Sequence, residues 1–528
     1  MRKELLGHAS AFHGRRHRQN PASTCEPALN PLFELQLDLS AGGSRESARN
    51  LHRQLKAAIG DGRLPPGARL PPTRDSQAFF GISRNTLADV YERLLNEGYV
   101  VTRSGAGTYV ADSVPTSPAR RTRHDAATTH RLNAFWLRPD VTAAMGFWRD
   151  NSAPAAPHDL PVVDLRPALV DSRLFPFDVF RRVTAKQLRT LERKPASYRS
   201  PQGNQGNYRL REAITQHIAL TRAVVCHAED VLVTSGAQQA FDLLARVLVI
   251  PGETVVAVED PGYPPMRVAF AAAGAKLVPV GVDAEGLIVE QLPDNVGVIC
   301  LCPSHQFPLG VSMSERRRKS LIEFARRNNA VIVEDDYDGE FRYDGSPLAA
   351  LRTPAAADVV FYVGTFSKCM LPTLRLGFIV APEWAMTTLI SAKNCLDWHC
   401  STPIQMGVAA FIVEGHLTRH VRKMRHVYKQ RRQLLLQTLQ KEFDEWLAPI
   451  PSFYGMHIGA FARMPLDLDA ITDELLRSNV KLHSFARYYL GAPTRNGLIF
   501  GYGSVGLAEI RRGLGTLKRV LARHAHRA

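Results

Sequence analysis

Residues 363–378, VGTFSKCMLPTLRLGF, decide the fold of most of this chain. An apolar run ends at Gly364, and the loop after it carries two hydroxyl residues, Lys368 and, seven positions later, Arg375. A lysine that is partly buried near a cation has a lowered pKa, so its amine is available as a nucleophile. A serine–lysine pair alone would be weak evidence, but the spacing to the arginine makes this pattern specific. The stretch therefore predicts a reactive lysine in a loop that follows a strand.

Short apolar runs alternate with helical stretches on both sides of this loop. Strands that alternate with helices over such a length predict a mainly parallel, doubly wound α/β sheet. From about residue 391 the chain continues as a long helical stretch and then as a smaller mixed segment. The predicted strands of the sheet are 231–233, 254–258, 298–301, 330–333 and 359–363, and those of the smaller segment lie near 460–463 and 498–500.

Two further motifs place polar groups where predicted strands end. VEDDYDGEF, residues 333–341, sets Asp335 and Tyr337 at the carboxyl end of a strand, which is where ligands bind in open α/β sheets. An aspartate at a strand end is, taken alone, as readily a helix cap, so this assignment depends on the surrounding pattern. In VTSGAQQAFDLL, the residues at the junction of a strand and a helix, where backbone N–H groups suit an anion, are Gly236, Ala237 and Gln238.

From about residue 162 onward, these motifs together resemble the fold-type I aminotransferases, and more closely their regulatory MocR relatives. The resemblance implies an α/β aminotransferase fold of type I with pyridoxal 5'-phosphate as its cofactor. It implies that Lys368 forms the Schiff base with pyridoxal phosphate and that Asp335 pairs with the protonated pyridine nitrogen, which keeps the ring an electron sink. It also implies that Tyr337 bonds the phenolic oxygen of the ring.

The same resemblance assigns the remaining contacts of the cofactor. Tyr263, in EDPGYP, matches the aromatic residue that stacks on the ring. Tyr198 matches a tyrosine that reaches the phosphate from the partner subunit, which implies a homodimer. A hydroxyl group and a guanidinium fork suit a dianionic phosphate. The residues that match the phosphate-holding set are Gly236, Ala237, Gln238, Thr365, Ser367 and Arg375.

Three departures from the aminotransferase pattern are visible. In CPSHQFPLG, Phe307 stands where the enzymes carry the asparagine of an Asn-Pro-x-Gly element, and this form is typical of MocR proteins. YRSPQGNQGNYRLRE is longer than the usual motif, so the glycine that aligns is either Gly203 or Gly206. The carboxylate-binding arginine lies in a poorly matching region, where Arg487 in SFARYYLG is the candidate for binding an effector carboxylate.

A second pattern lies near the N-terminus, where three short helical stretches precede a glycine-containing hairpin. Helical periodicity begins at Ser44, and Thr73 is the expected N-cap of a short second helix. Ser83 caps a third helix, whose apolar stripe runs from Leu87 to Leu95. Short strands follow at 99–101 and 108–110. This order predicts a winged helix-turn-helix (α+β), whose third helix places its first turn in the major groove of DNA.

The groups predicted to contact DNA lie in the first turn of that third helix, at the start of the preceding helix and at the tip of the wing. Side chains of these types bond phosphates and base edges, and a small basic wing suits the minor groove. Each group taken singly is more readily a cap or a solvated charge, whereas together they favour DNA binding. They are Arg74, Ser83, Arg84, Asn85, Thr86, Arg103 and Gly105.

Residues 67–110, GARLPPTRDSQAFFGISRNTLADVYERLLNEGYVVTRSGAGTYV, closely resemble the GntR superfamily. That resemblance implies a DNA-binding head. One departure is Asp75-Ser76-Gln77, where the family usually has a more helix-friendly pair. We expect this departure to affect local packing more than function.

Composition bounds the class of protein. The 528 residues carry a net charge of +16, which favours a polyanionic partner such as double-stranded DNA. No apolar run approaches the roughly 18–20 residues of a membrane span, and no secretory signal is visible. Seven scattered cysteines suit a reducing cytoplasm, and Cys395, His399 and Cys400 lack zinc-like spacing, so no metal is expected.

We expect a mostly disordered basic segment at 1–40, the winged helix at 41–112, a linker at 113–160 and the aminotransferase-like domain at 161–528.

The fusion of these two domains in this order is the architecture of the MocR family. It predicts a transcription regulator whose operator binding responds to pyridoxal phosphate or to an amine or amino-acid effector. A working aminotransferase with an appended nucleic-acid module is the competing hypothesis. A third hypothesis, an inert scaffold or heterodimer partner, requires a broken cofactor site, and the intact Lys368 and Asp335 argue against it.

Overall fold

A computed structural model describes residues 44–112, 132–146, 162–193, 203–343 and 348–525 of the chain. The chain divides into two units, Met1–Arg131 and Leu132–Ala528, each of which is described by itself. The segment expected to be disordered, 1–40, lies outside the described residues, as does most of the expected linker.

The first unit is a winged helix. Its three strands form one antiparallel sheet in the order β1-β3-β2, and its two longer helices pack against each other. This arrangement confirms the predicted winged helix-turn-helix. The elements are α1 Ser44–Gly60, β1 Arg69–Leu70, α2 Thr73–Phe80, α3 Arg84–Asn96, β2 Val100–Arg103 and β3 Gly107–Val110.

The core of this unit is built from one apolar face of each longer helix. Leu51 and Leu55 of α1 are buried against Leu87 and Leu94 of α3. The prediction that the stripe of α3 extends to Leu95 was wrong, because that side chain is 37% exposed. A helix turns by about 100° per residue, so Leu95 points away from the core once Leu94 faces it.

The helices α2 and α3 differ in how their N-termini are capped. Thr73 is the first helical residue of α2 rather than its N-cap; Pro72 takes the cap position and makes no side-chain hydrogen bond. Ser83 does cap α3, because its Oγ accepts a hydrogen bond from the backbone N–H of Thr86 at 3.3 Å. Ser76, within the departure from the GntR pattern, is buried and lies 3.2 Å from the Tyr91 hydroxyl.

The second unit contains the remaining helices and strands. Within the described ranges, no helix is both long enough and apolar enough to cross a membrane. The elements are α4 Pro139–Met145, β4 Val163–Asp164, α5 Phe177–Arg193, α6 Tyr208–Arg222, β5 Val231–Thr234, α7 Ala237–Leu248, β6 Val255–Asp260, α8 Pro264–Ala272, β7 Lys276–Asp283, β8 Gly286–Leu287, β9 Val296–Leu301, α9 Glu315–Arg327, β10 Val331–Asp336, β11 Val360–Thr365, β12 Gly377–Val380, α10 Glu383–Leu396, α11 Thr402–Val413, α12 His416–Glu442, β13 Leu447–Pro449, β14 His457–Ala462, α13 Leu468–Arg477, β15 Val480–Lys481, β16 His483–Ser484, β17 Gly497–Gly501 and α14 Leu507–Ala525.

One large mixed sheet organises this unit, in the order β5-β12-β11-β10-β9-β6-β7-β8. The pairs from β11 to β7 are parallel, whereas β12 runs antiparallel to both of its neighbours and β8 runs antiparallel to β7. Its inner strands are apolar on both faces, as expected where helices cover both sides. The predicted mainly parallel α/β sheet is confirmed, and the carboxyl ends of β5, β6, β10 and β11 lie at the same edge.

A smaller antiparallel sheet, β13-β14-β17-β16, follows in the C-terminal part of the chain. A separate parallel pair joins β4, at the beginning of this unit, to β15 near its end, with Val163 opposite Val480. The elements from β13 to α14 are called the C-terminal subdomain below. The first residues after the expected linker are therefore hydrogen-bonded to the C-terminal subdomain.

The middle of the expected linker, residues 135–148, is rich in apolar residues, which predicts a short packed helix; the described part of it contains two shorter pieces. A 3₁₀ turn, Ala134–Leu137, is followed by α4, which begins at Pro139 because a proline starts a helix more readily than it continues one. Val141 is buried where α4 packs on α8. Trp148 lies outside the described residues.

A buried ion pair holds the end of β10. Arg222, the last residue of α6, donates from Nε to Asp336 Oδ2 at 2.5 Å, and the Tyr362 hydroxyl on the neighbouring strand β11 donates to the same oxygen at 2.6 Å. A second guanidinium nitrogen of Arg222 donates to Ser304 Oγ at 2.5 Å. These contacts link α6, β10, β11 and the loop after β9.

Two leucines of α3 allow the head's core to be tested with a matched pair. We expect Leu87→Ala to destabilise the head by about 2–5 kcal/mol, because it leaves a cavity where the side chain is fully buried. Leu95→Ala should change the stability by about 0.5 kcal/mol or less, since its side chain is partly in solvent. Hydrogen exchange of head amides in the full chain measures both. Equal losses of protection would contradict the packing described here.

Candidate cofactor site and nucleic-acid interface

A cavity of about 410 Å³ opens where the parallel strands of the large sheet end. It brings together nine residues that the sequence motifs predicted, from β10, β11, α7 and the loops after β6, β10 and β11. The lining also includes Phe307, Pro372 and three residues of the loop before α5, none of which was predicted as a cofactor contact. The lining residues are Ala168, Leu169, Val170, Ala237, Gln238, Tyr263, Phe307, Asp335, Tyr337, Thr365, Ser367, Lys368, Pro372 and Arg375.

Lys368 presents its amine to this cavity. Nζ donates a hydrogen bond to the backbone oxygen of Ala168 at 2.6 Å. Ala168 holds this position in the left-handed region, with φ of 59°, a conformation that costs a non-glycine residue about 1 kcal/mol or more. Burial lowers the pKa of Lys368 to about 8, against the opposing charges of Asp338 and Asp335. More of the amine is therefore unprotonated and nucleophilic near neutral pH than in an exposed lysine.

Asp335 supplies a buried carboxylate with one oxygen uncommitted. Oδ2 accepts a hydrogen bond from Cys302 Sγ at 3.6 Å, while Oδ1 has no hydrogen-bond partner among the described residues. Burial, and next the charge of Asp336, raise the pKa of Asp335 to about 7. A cationic N–H group placed against Oδ1 would give this oxygen a hydrogen-bond partner and would lower the pKa of Asp335, because an opposite charge favours the ionised carboxylate.

An anion cradle lies at the start of α7. Gly236 occupies the N-cap with φ of 82°, and a Cβ at this position would lie 3.0 Å from Arg375 Nη2. Arg375 is anchored by a bond from Nη2 to the Ser235 backbone oxygen at 3.1 Å. Thr365 Oγ1 and Ser367 Oγ lie 3.0 Å apart on the facing loop. Backbone N–H groups at a helix start, a guanidinium and two hydroxyls on one wall suit a phosphate.

The aromatic residues form the opposite wall of the cavity. Tyr263 lies at the N-cap of α8 and meets Phe307 edge to face, with ring centroids 5.7 Å apart. The Gln238 side chain donates to the Pro265 backbone oxygen at 3.1 Å, so it braces α8 and leaves only its backbone for an anion. Tyr337 lines the cavity, and its hydroxyl donates to the His305 backbone oxygen at 3.0 Å.

Three predicted residues are not in the described lining of this cavity: Gly236, which caps α7 beside it, Tyr198 and Arg487. Tyr198 lies outside the described residues. Arg487 lies elsewhere, on the 3₁₀ turn Phe485–Tyr488, in the lining of a second cavity of about 490 Å³ that it shares with Arg267 and Asp473. Among the described lining residues of the first cavity, Arg375 is the one arginine.

The two candidate glycines before α6 differ in their surroundings. Both have positive φ, but a Cβ on Gly203 would meet nothing within 4 Å, whereas one on Gly206 would lie 2.6 Å from the Val233 side chain. Gly206 is therefore the position where the chain passes too close to β5 for any side chain, which favours it as the required glycine of this motif.

The groups predicted to contact DNA divide into two kinds. Ser83 and Thr86 bond each other, with 2.8 Å between Oγ and Oγ1, so they stabilise the start of α3. Arg84 and Asn85 in the same turn, like Arg74 at the start of α2, are exposed. At the wing tip Gly105 has φ of 73°, and the exposed Arg103 lies over the Tyr109 ring at 4.7 Å.

Family models match both units. Residues 47–110 match the bacterial regulatory proteins of the gntR family, and residues 173–484 match aminotransferase class I and II. The second match alone covers more than half of the chain.

Curated relatives resemble the chain over nearly its whole length. It is 31% identical, over 89% of this chain and 92% of the relative, to the probable rhizopine catabolism regulatory protein MocR of Rhizobium meliloti. It is 29% identical, over 90% and 95%, to the HTH-type pyridoxine biosynthesis transcriptional regulator PdxR of Corynebacterium glutamicum. Among solved structures, kynurenine aminotransferase of Pyrococcus horikoshii, in complex with PMP, is similar with a TM-score of 0.63 at 26% identity, covering 69% of this chain and 92% of that one.

The pKa of Lys368 leads to a labelling prediction for the protein without cofactor. Exposed lysine amines titrate near pKa 10.4, so labelling of Lys368 by brief pulses of acetic anhydride should be half-maximal near pH 8, well before an ordinary exposed amine. Peptide mass spectrometry follows Lys368 beside the exposed Lys319 as an internal control. Identical pH profiles for the two lysines would contradict the effect of burial.

Proposed function

The chain belongs to the MocR-type transcription regulators, and from this premise we propose that its aminotransferase-like unit binds pyridoxal 5'-phosphate and responds to that cofactor, or to an amine or amino-acid effector, by changing operator binding. The observation that carries the proposal is the cavity in which the Lys368 amine and the uncommitted carboxylate oxygen of Asp335 face an anion cradle.

The residues of the cavity fit this cofactor group by group. Arg375, Thr365, Ser367 and the start of α7 would hold the phosphate, and Asp335 would hold the pyridine nitrogen. Tyr263 and Phe307 supply apolar ring surface beside it. When bound, pyridoxal phosphate supplies an aldehyde carbon for an amine and an electron-withdrawing ring. This fit supports binding of the cofactor by the residues that the sequence motifs nominated.

The chain's own groups have distinct tasks in this proposal. Lys368 offers an amine whose lowered pKa makes it a competent nucleophile. Asp335 would accept a hydrogen bond from the ring nitrogen and would keep a proton on it, because an opposite charge in a buried site favours the ionised carboxylate. The apolar rings of Tyr263 and Phe307 would keep water from their side of the bound cofactor.

A regulatory role is favoured over sustained transamination. The relatives that match both units carry names of transcriptional regulators. Phe307 occupies the asparagine position of the enzymes, and the described lining offers no second arginine for a substrate carboxylate. A working aminotransferase remains the alternative, favoured by the family match of the second unit. Sustained turnover with common amino donors and keto acids would favour the enzyme.

A homodimer completes the proposal. The match of Tyr198 to a tyrosine that reaches the cofactor phosphate from a partner subunit supports it. Cofactor-dependent change in the arrangement of two heads would then alter how both engage an operator, since paired heads bind paired half-sites.

The test uses DNA duplexes that are selected from a random library because they bind the full chain. The parent protein with pyridoxal phosphate should show a visible band that borohydride bleaches, with the adduct mapped to Lys368. The cofactor should shift the DNA-binding isotherm of the parent several-fold. Lys368→Ala should lose both the adduct and the shift while it retains DNA binding. A Lys368 adduct without any shift in DNA binding, whether the cofactor is added alone or together with each of a panel of amines and amino acids, would refute sensing. An adduct at another residue would refute the site.

The first turn of α3 should carry much of the DNA affinity. Arg84→Ala should cost about 1–3 kcal/mol in operator binding without unfolding the head, since only the first turns of this helix reach base edges. Arg93→Ala is the matched control, because Arg93 lies two turns later on α3 and pairs with Asp89 at 2.7 Å. Salt series of binding isotherms measure both variants. If Arg84→Ala binds like the parent, α3 is not the reading helix.

A further inference from the structure

Behind the cofactor cavity lies a buried pair, His305 and Asp338, that the sequence motifs did not nominate. Each side chain is about 2% exposed. His305 Nδ1 lies 3.0 Å from Asp338 Oδ2 and also 3.0 Å from the Tyr337 hydroxyl oxygen. One ring nitrogen thus faces two oxygens, of which one belongs to a residue that lines the cavity.

The contacts assign the proton of the neutral imidazole. Burial lowers the pKa of His305 to about 3, so the ring is uncharged at neutral pH. The Tyr337 hydroxyl donates its proton to the His305 backbone oxygen at 3.0 Å, so at the contact between Nδ1 and the hydroxyl oxygen the proton must come from Nδ1. Nε2 has no hydrogen-bond partner among the described residues, and a buried nitrogen in that position is less costly without a proton than with one.

The ring is held in place by the C-terminal subdomain. Gly455 has φ of 77°, and a Cβ there would lie 2.1 Å from His305 Nδ1 and 2.6 Å from Asp338 Oδ2. The Tyr343 and Tyr502 hydroxyls both donate to the Gly455 backbone oxygen, at 2.7 and 2.8 Å. The glycine is thereby locked against the histidine, and the imidazole has no room to tilt away from Tyr337.

We propose that the His305–Asp338 pair positions the Tyr337 hydroxyl for the cofactor. Asp338 orients His305, and His305 Nδ1–H holds the hydroxyl oxygen in place. The hydroxyl proton then turns from the His305 backbone oxygen to an acceptor in the cavity. This inference rests on the proposed function, because the acceptor is the phenolic oxygen of pyridoxal phosphate. Donation from Nδ1 makes the hydroxyl a stronger donor, since hydrogen bonds in a chain polarise one another. His305 and Asp338 act through Tyr337 and are positioning residues.

The charged surroundings decide which residue to change. Asp338 also acts directly on Lys368, whose pKa its charge raises, so a substitution there would combine two opposing effects. His305 is uncharged and isolates the positioning effect. The titratable and charged groups that face the pair and Tyr337 come from α6, β6, β10, β14, α12 and adjoining loops: Arg222, Glu259, Cys302, Asp335, Asp336, Glu340, Lys368, Arg432 and His457.

The experiment is a pH titration of the visible absorbance of the full chain loaded with pyridoxal phosphate. A donor to the phenolic oxygen favours the less protonated form of the Lys368-linked cofactor, so its loss raises the titration midpoint. We expect Tyr337→Phe and His305→Leu each to raise the midpoint by about half to one pH unit, the size of one hydrogen bond. The double variant should shift no further than Tyr337→Phe alone. An unshifted His305→Leu, or an additive double variant, would overturn the proposal.

A second pair of variants covers a failure of His305→Leu to fold. His305→Asn keeps an N–H donor near the place of Nδ1 and should titrate like the parent. His305→Gln carries its amide farther out and should show the raised midpoint. Equal midpoints for these two variants would overturn the positioning role. A parent chain that takes up no cofactor refutes the proposed function itself. A parent chain that takes up the cofactor, with variants whose titration midpoints equal that of the parent, refutes only the positioning role.

Discussion

The buried ion pair between Arg222 and Asp336 is the constraint on which the cofactor site depends. Two charges taken out of water are costly, and removing either partner of such a pair leaves the other uncompensated at a cost of about 3–5 kcal/mol. Successive side chains of a strand point to opposite faces, so fixing Asp336 toward Arg222 and Tyr362 turns Asp335 toward the cavity. Burial, and next the charge of Asp336, then raise the pKa of Asp335. One aspartate thus holds the strand and prepares the other to receive a cation.

Most of the site could be predicted because its residues sit where strands end. Lys368, Asp335 and Thr365 each follow or close an apolar run, and parallel strands bring such ends to one edge. The loop of Ala168 could not be found in this way, since it precedes α5 without a motif of its own. Arg487 was placed by similarity alone, in a region where the pattern is weak, and the fold carries it to a different cavity.

The His305–Asp338 pair escaped prediction for a different reason. His305 lies two residues before Phe307, and Asp338 directly follows Tyr337, so each stands beside a residue that has a recognisable role of its own. What joins them to Tyr337 is the approach of Gly455 from the C-terminal subdomain, a contact across more than a hundred residues that no local pattern encodes. In the head, the errors at Thr73 and Leu95 are single-residue shifts at a helix start and at the edge of an apolar face, where propensity discriminates poorly.

The hydrogen bond from Lys368 to Ala168 has a mechanical consequence. Any ligand that takes up the lysine amine competes with the Ala168 backbone oxygen, whose strained conformation that bond helps to offset. Five residues earlier, Val163 is paired with β15 of the C-terminal subdomain, and the chain before it leads back through the linker to the winged helix. The short stretch from Val163 to Ala168 therefore runs from the mouth of the linker to the reactive amine. Occupying that amine removes the hydrogen bond at one end of this stretch while the other end stays paired with β15, so chemistry at a single nitrogen changes how firmly residues 164–168 are held.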